Sequence, residues 1–270
     1  MKPFARFSPG RSLRTGCAAL AAVLALTIAP AANAAEPSPD ARALLLNMAS
    51  FLAKAPAFDV TVRSGYDAIQ ADGQRIEFGE QRRILLQRPD RVRVEIVRSD
   101  GDQGLLLFDG KGLTAFKADE LVYAHVEKPG TVDDAVIYLV RDLQMIMPLA
   151  RMFLSSFPQD LEKQLTEVSY VEENHIFDVP TDHLAARSTD IDLQVWITQG
   201  EQPLPRRVIL TYKNAPGQPQ FRADLSAWNL APEVQADRFH FNPPAGAELV
   251  PFLAPVRRLD AIAPRKGDVQ

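Results

Sequence analysis

The chain has 270 residues, a formal net charge of −4 and 46% hydrophobic residues. That is enough apolar material for a sizeable core, and the acidic balance with no basic stripe argues against a nucleic-acid partner. The single cysteine, Cys17, lies near the N-terminus. Beyond it there is none to form a disulfide, a thiolate nucleophile or a cysteine metal site.

Residues 1–34 read as a cleavable secretion signal. Lys2, Arg6, Arg11 and Arg14 form a basic head, Cys17 to Ile28 an apolar run, and Ala32-Asn33-Ala34 a small-x-small exit. The run is too short to cross a bilayer, which takes roughly 20 residues. Cys17 precedes the apolar run instead of following it, so the pattern is not that of a lipidated N-terminus. Cleavage after Ala34 would leave 236 residues and move the net charge to −8. Residues 35–253 then read as a single domain and 254–270 as a flexible tail, in which Arg257, Arg258, Pro264, Arg265 and Lys266 are polar or helix-breaking.

Ser38-Pro39-Asp40 predicts a helix start, and Leu44, Leu45, Met48, Phe51 and Leu52 recur on one helical face until Pro56. The period then changes to two. Phe58, Val60 and Val62 alternate with polar residues, as do Val92, Val94 and Ile96 further on. Turn signals at Asp72-Gly73, Arg88-Pro89-Asp90, Asp100-Gly101 and Asp109-Gly110 divide residues 57–126 into about six strands of an antiparallel meander.

Thr131 then caps a helix, with Val136, Leu139, Val140 and Leu143 at helical spacing, followed by the nearly unrelieved apolar stretch 145–154. Pro158 opens a more polar helix ending near Leu165. Strands resume at 167–172, 183–187, 190–198, 205–212 and 220–228, and Phe239-His240-Phe241 is read as the last one. The order helix, strands, helices, strands predicts an α+β fold, in which one large curled antiparallel sheet carries helices over its concave face.

Chemistry-bearing motifs are missing. His125, His175, His183 and His240 show no metal-ligand spacing, and no G-x-S-x-G, P-loop or G-x-G-x-x-G is present. Asp182-His183 is an acid–imidazole pair, but neighbours in a strand point to opposite faces. A hydrolase acting through His183 is therefore the weakest reading; no enzyme, cofactor or metal is expected. Three methionines gather at Met145, Met147 and Met152, beside Leu149 and Phe153. Methionine suits surfaces that accept variable apolar ligands, although a buried core helix has the same composition. Trp196 shares its strand face with Asp192 and Gln194 and could stack over an opening or fold across the sheet rim. Met145, Met147, Leu149, Met152, Phe153 and Trp196 are thus the candidate cavity lining.

Several segments resemble one family. Arg88-Pro89-Asp90, Phe108-Asp109-Gly110-Lys111 and Tyr123-Ala124 carry the first half of the likeness. The second half rests on Asp182-His183-Leu184, Ile191 to Ile197, Pro203-Leu204-Pro205, Trp228 and Phe239 to Ala247. Over residues 40–253 the chain resembles the DUF2092 family of predicted periplasmic proteins, itself similar to the LolA/LolB lipoprotein-carrier superfamily and the sensor RseB. The resemblance implies a half-open barrel with a helical lid. It also implies a non-enzymatic periplasmic binding or carrier protein for a lipid, acyl chain or lipoprotein. The alternative is an envelope protein-interaction or stress-sensing module. Neither nucleic acid nor a membrane-spanning segment in the mature form belongs to this reading.

Overall fold

The computed structural model describes residues 39–252. The expected secretion signal and the tail from 254 lie outside the described residues. Helix α1 (Ala41–Lys54) opens them. Its N-cap is Asp40, the last residue of the predicted Ser38-Pro39-Asp40 start, whose side chain accepts from the Ala43 N–H at 3.1 Å. Six strands follow: β1 (Ala57–Ile69), β2 (Arg75–Gln87), β3 (Arg91–Arg98), β4 (Gln103–Phe108), β5 (Gly112–Lys117) and β6 (Val122–Glu127). Four of their five turns are those the sequence signals; the β5–β6 turn at residues 118–121 is not among them. At the β4–β5 hairpin, Asp109 Oδ1 accepts from the N–H groups of both Lys111 and Gly112 at 2.9 Å, and Gly110 supplies the positive φ of 85°.

The middle segment departs from expectation. Helix α2 (Val132–Ile137) has the predicted Thr131 cap, reinforced by Asp134 in a capping box. It then loosens into a π-turn over Tyr138–Asp142. Instead of a continuous helix, residues 143–149 are irregular, with Gln144 at φ 54°, and only a 3-10 turn forms at Ala150–Phe153. Pro148 cannot donate to a helical ladder, which is one physical reason for the break. Helix α3 (Phe157–Gln164) ends the segment.

Strands β7 (Glu167–Ile176), β8 (Val179–Arg187), β9 (Ile191–Thr198), β10 (Pro205–Tyr212) and β11 (Gln220–Asn229) form the second meander. A two-residue strand β12 (Glu248–Leu249) lies parallel to β6. The twelve strands among the described residues make one sheet, ordered β12-β6-β5-β4-β3-β2-β1-β11-β10-β9-β8-β7. The two meanders meet at one seam, β1 on β11. The sheet is not a closed barrel: β7 and β12 are its two edges, and they do not pair.

Alternation sets the two faces. Phe58, Val60 and Val62 of β1, Ile84 and Leu86 of β2, Val94 and Ile96 of β3, and Val195, Val208 and Leu225 beyond the seam point the same way. All are buried in one core cluster with α1 and the middle segment. One cluster that draws on strands from both halves of the sheet requires the sheet to curl around the helices. The opposite, convex face carries a smaller cluster of Leu85, Leu105, Leu107 and Phe239, flanked by Phe116, Val234 and Phe241. Here the sheet is buried on both sides, which accounts for the uninterrupted apolar run Leu105–Phe108.

The expected strand at Phe239-His240-Phe241 does not form. Residues Ala236–Phe239 make a 3-10 turn and the chain continues without regular structure, laid across the convex face as a strap. Phe241 packs against Phe116 and Tyr123, each 5.4 Å between ring centres, and Arg91 lies over the Phe239 ring. These aromatics cover the sheet rather than extend it.

Candidate functional site

The topology itself creates a site. The chain leaves the first meander at β6, next to one edge, and re-enters at β7, the opposite edge. The connection between them (128–166) must therefore cross the sheet, and it does so over the concave face.

Two apolar cavities lie beneath this crossing. One, of about 70 Å³, is bounded by Phe58, Val62, Ile84 and Val94 on the sheet and by Leu139, Met147, Met152 and Phe153 above it. The other, of about 140 Å³, lies between Leu193, Val195, Val208 and Leu210 of the sheet and Leu45, Met48, Phe157 and Leu161 of α1 and α3. Pro148, Leu149 and Met152 border both, so the irregular lid segment is the partition between them.

Four of the six candidate residues thus meet at the cavities: Met147, Leu149, Met152 and Phe153. The Phe153 ring lies 5.9 Å from that of Phe58, which in turn meets Trp228 edge-on at 5.4 Å. Trp228 is fixed by its Nε1–H donating to the Pro205 carbonyl at 3.1 Å. Met145 is buried core and lines neither cavity. Trp196 lines neither cavity. It faces the convex side, stacked flat on its cross-strand neighbour His183 at 4.0 Å between ring centres and 8° between planes. Its polar-looking face is the outer face of the curl, so it cannot stand over the opening.

His183 belongs to that outer stack and not to a catalytic pair. Its Nε2 lies 3.2 Å from Gln194 Oε1, and burial lowers its pKa from the ordinary value. Asp182 points away and accepts from the Tyr170 hydroxyl at 3.1 Å. Among the described residues no group of three or more histidines, cysteines or carboxylates could hold a metal ion.

Two polar features at the cavities were not found from sequence. The first is a clasp on the lid. Arg88 donates from Nη2 to the Phe153 carbonyl at 2.8 Å and from Nε to the Ala55 carbonyl at 3.2 Å, and its Nη1 lies 3.6 Å from Asp133. Burial pushes the Arg88 guanidinium down from its ordinary pKa, with Asp133 opposing. Asp133 also accepts from the Ser155 N–H at 3.1 Å and from its hydroxyl, tying the first turn of α2 to the segment between the 3-10 turn and α3. By sequence Asp133 is simply an acid in the first turn of a helix and Arg88 part of a turn signal. No spacing rule links the two.

The second feature is charged. Ser64, Glu80 and Arg82 are the polar members of an otherwise apolar lining of the smaller cavity. They sit on the concave positions of β1 and β2, in phase with Val62 and Ile84. A period-two phase that runs from leucine and isoleucine into charged residues is the signal that could have marked them.

Comparison with solved structures finds similar folds at low identity. The chain is similar to LprF from Mycobacterium bovis (12% identity, covering 78% of this chain and 99% of that one, TM-score 0.46). It is similar to a LolA superfamily protein from Nitrosomonas europaea (13% identity, 74% and 97%, TM-score 0.36). It is also similar to a chain of the MucA/MucB complex from Pseudomonas aeruginosa (14% identity, TM-score 0.41), covering 75% of this chain but only 61% of that one. No curated protein matches it in sequence. A family model described as "Predicted periplasmic protein (DUF2092)" matches residues 41–253.

Proposed function

The chain belongs to the DUF2092 family of predicted periplasmic proteins, and from that premise we propose that it is a non-enzymatic binding or carrier protein for a hydrophobic ligand, such as a lipid, an acyl chain or a lipid-modified protein. One observation carries the reading: the connection from β6 to β7 crosses the apolar trough as an irregular lid and leaves two cavities under it. Apolar area removed from water stabilises by about 25 cal/mol per Å², so a chain that enters such a space is held without specific polar contacts.

The cavities are smaller than the roughly 300 Å³ of ordinary ligand sites. The loaded form therefore has the lid withdrawn. Moving Leu149 and Met152 joins the two spaces into one trough. The lid is suited to this because its backbone has few regular hydrogen bonds to lose between residues 143 and 149. Residues 1–34 serve in this reading as the export signal, and N-terminal sequencing of periplasmic material should find Ala35 first.

A fluorescent apolar probe titrated into the wild type tests the cavity. Binding is expected, and Met152→Asp or Phe153→Asp should abolish it while circular dichroism shows the sheet intact, because an unpaired buried charge costs several kcal/mol. A wild type that binds no probe refutes the reading. Native mass spectrometry of protein from its own envelope should show a co-purified lipid; a co-purified polypeptide would point instead to an envelope interaction module. His183→Ala should leave the biological role intact.

A further inference from the structure

The charged group in the smaller cavity has no role in binding a bare hydrocarbon. Glu80 is buried, with its side chain 3% exposed, and Arg82 beside it is 14% exposed. Arg82 Nε donates to Glu80 Oε1. Glu80 Oε2 is also out of contact with solvent, and it accepts no hydrogen bond among the described residues. A buried carboxylate oxygen without a donor is costly, and native interiors seldom leave one so.

Position adds to this. Along the concave face of β2 the order is Leu86, Ile84, Arg82, Glu80, Phe78. Beyond the pair, Phe78 stacks on Tyr66 at 5.9 Å and both rings are half-buried. The pair thus stands between the apolar cavity and the aromatic end of the trough, where the polar end of an amphipathic ligand would lie if its tail filled the cavity.

We propose that Glu80 and Arg82 form a headgroup subsite for acyl ligands whose head is uncharged and carries both a hydrogen-bond donor and an acceptor, such as the glycerol of a monoacylglycerol. The inference rests on the cavity reading above and names its ligand class. A hydroxyl would donate to Glu80 Oε2, satisfying the oxygen that the protein leaves unpaired. An ester or hydroxyl oxygen would accept from a further N–H of the Arg82 guanidinium, which carries five donors. The pair is neutral overall, so a neutral head matches it. A carboxylate head would meet Arg82 but face the like charge of Glu80 and bring no donor to Oε2.

Displacement of the apolar probe tests this, using a medium-chain monoacylglycerol and the fatty acid of the same chain length at a pH where the acid is ionised. The wild type should prefer the monoacylglycerol by about tenfold, the scale of one hydrogen bond to a charged group. Glu80→Gln removes the like charge and should raise fatty-acid affinity until the preference is lost or inverted. Arg82→Gln should weaken the monoacylglycerol and leave the acid disfavoured. A wild type that binds the probe but takes both lipids equally overturns the headgroup subsite alone. So does a preference that survives unchanged in folded forms of both variants. A wild type that binds neither probe nor lipid overturns the cavity reading and this inference with it. The wild-type comparison needs no variant, so the proposal stays open to refutation even if a substitution prevents folding.

Discussion

The lid on the concave face and the strap on the convex face solve the same problem with different results. Each is an irregular segment that covers apolar sheet surface. The strap seals: Phe239 is 1% exposed and fills the space over Leu85, Leu105 and Leu107. The lid leaves two cavities, and Ile146 within it is 46% exposed. Irregular backbone is therefore not in itself a sign of function. The sign is irregular backbone over imperfectly filled apolar space.

The largest effect should come from breaking the seal. Phe239→Ala is expected to lower the unfolding free energy by about 3–5 kcal/mol, the usual cost of deleting a fully buried phenylalanine. Urea denaturation measures it, and the probe affinity of the folded fraction should not change. On the lid, Met152→Ala should cost about 2 kcal/mol, the low end for such deletions, because Met152 already borders empty space. A cost equal to that of Phe239→Ala would show that the lid is packed like the strap and would end the contrast.

Arg88→Met cuts the clasp to Phe153 and Ala55. Hydrogen bonds from a charged donor are worth about 1.5–3 kcal/mol, and partial exposure puts this one at or below the low end. The sharper readout is faster amide exchange across 147–155 with no change in the sheet, and faster uptake of the probe. Unchanged lid exchange would show that Arg88 does not hold it.

A further effect lies outside both covers and is read on acidification. Burial alone would raise the pKa of Asp67, but hydrogen bonds from Arg222 and the Gln220 N–H, with the charges of Arg222 and Arg75, hold it below its ordinary value. A carboxylate depressed in the folded state contributes stability above its unfolded pKa of about 3.9, lost as pH falls through the folded value. The melting temperature of the wild type should therefore drop below about pH 4, and Asp67→Asn should flatten that drop. An identical acid profile in the variant would place the linkage elsewhere.

Much of the sheet was legible because alternation and turn chemistry are local. Asp109-Gly110 and the β1 pattern Phe58-x-Val60-x-Val62 each mark structure within a few residues. The covers were not. Phe239-x-Phe241 has the period of a strand, yet strand formation needs a free partner edge, and these rings found a sheet face instead. Residues 145–154 were legible as apolar excess but not as a broken helix. Trp196 was assigned to the correct polar-looking face, but which face of a curled sheet is the inner one depends on where the helices pack. That is settled by contacts far apart in the chain. The Arg88–Asp133 clasp and the Arg75–Asp67–Arg222 network are of the same kind.

The seam between the half-sheets carries a kinetic consequence. β1 pairs with β11 through partners as distant as Asp59 and Asn229, so the central strand of the sheet gains its second neighbour only when nearly the whole domain is available. Each meander closes through short hairpins, whereas the seam carries a large loop-closure entropy and forms late. A chain emerging from its N-terminus offers the first half-trough, with Val92, Val94 and Ile96 open on its inner surface, before the second half exists. Helix α1 is already present and the crossing segment emerges next, so both can pack on that surface before the second half-sheet is available.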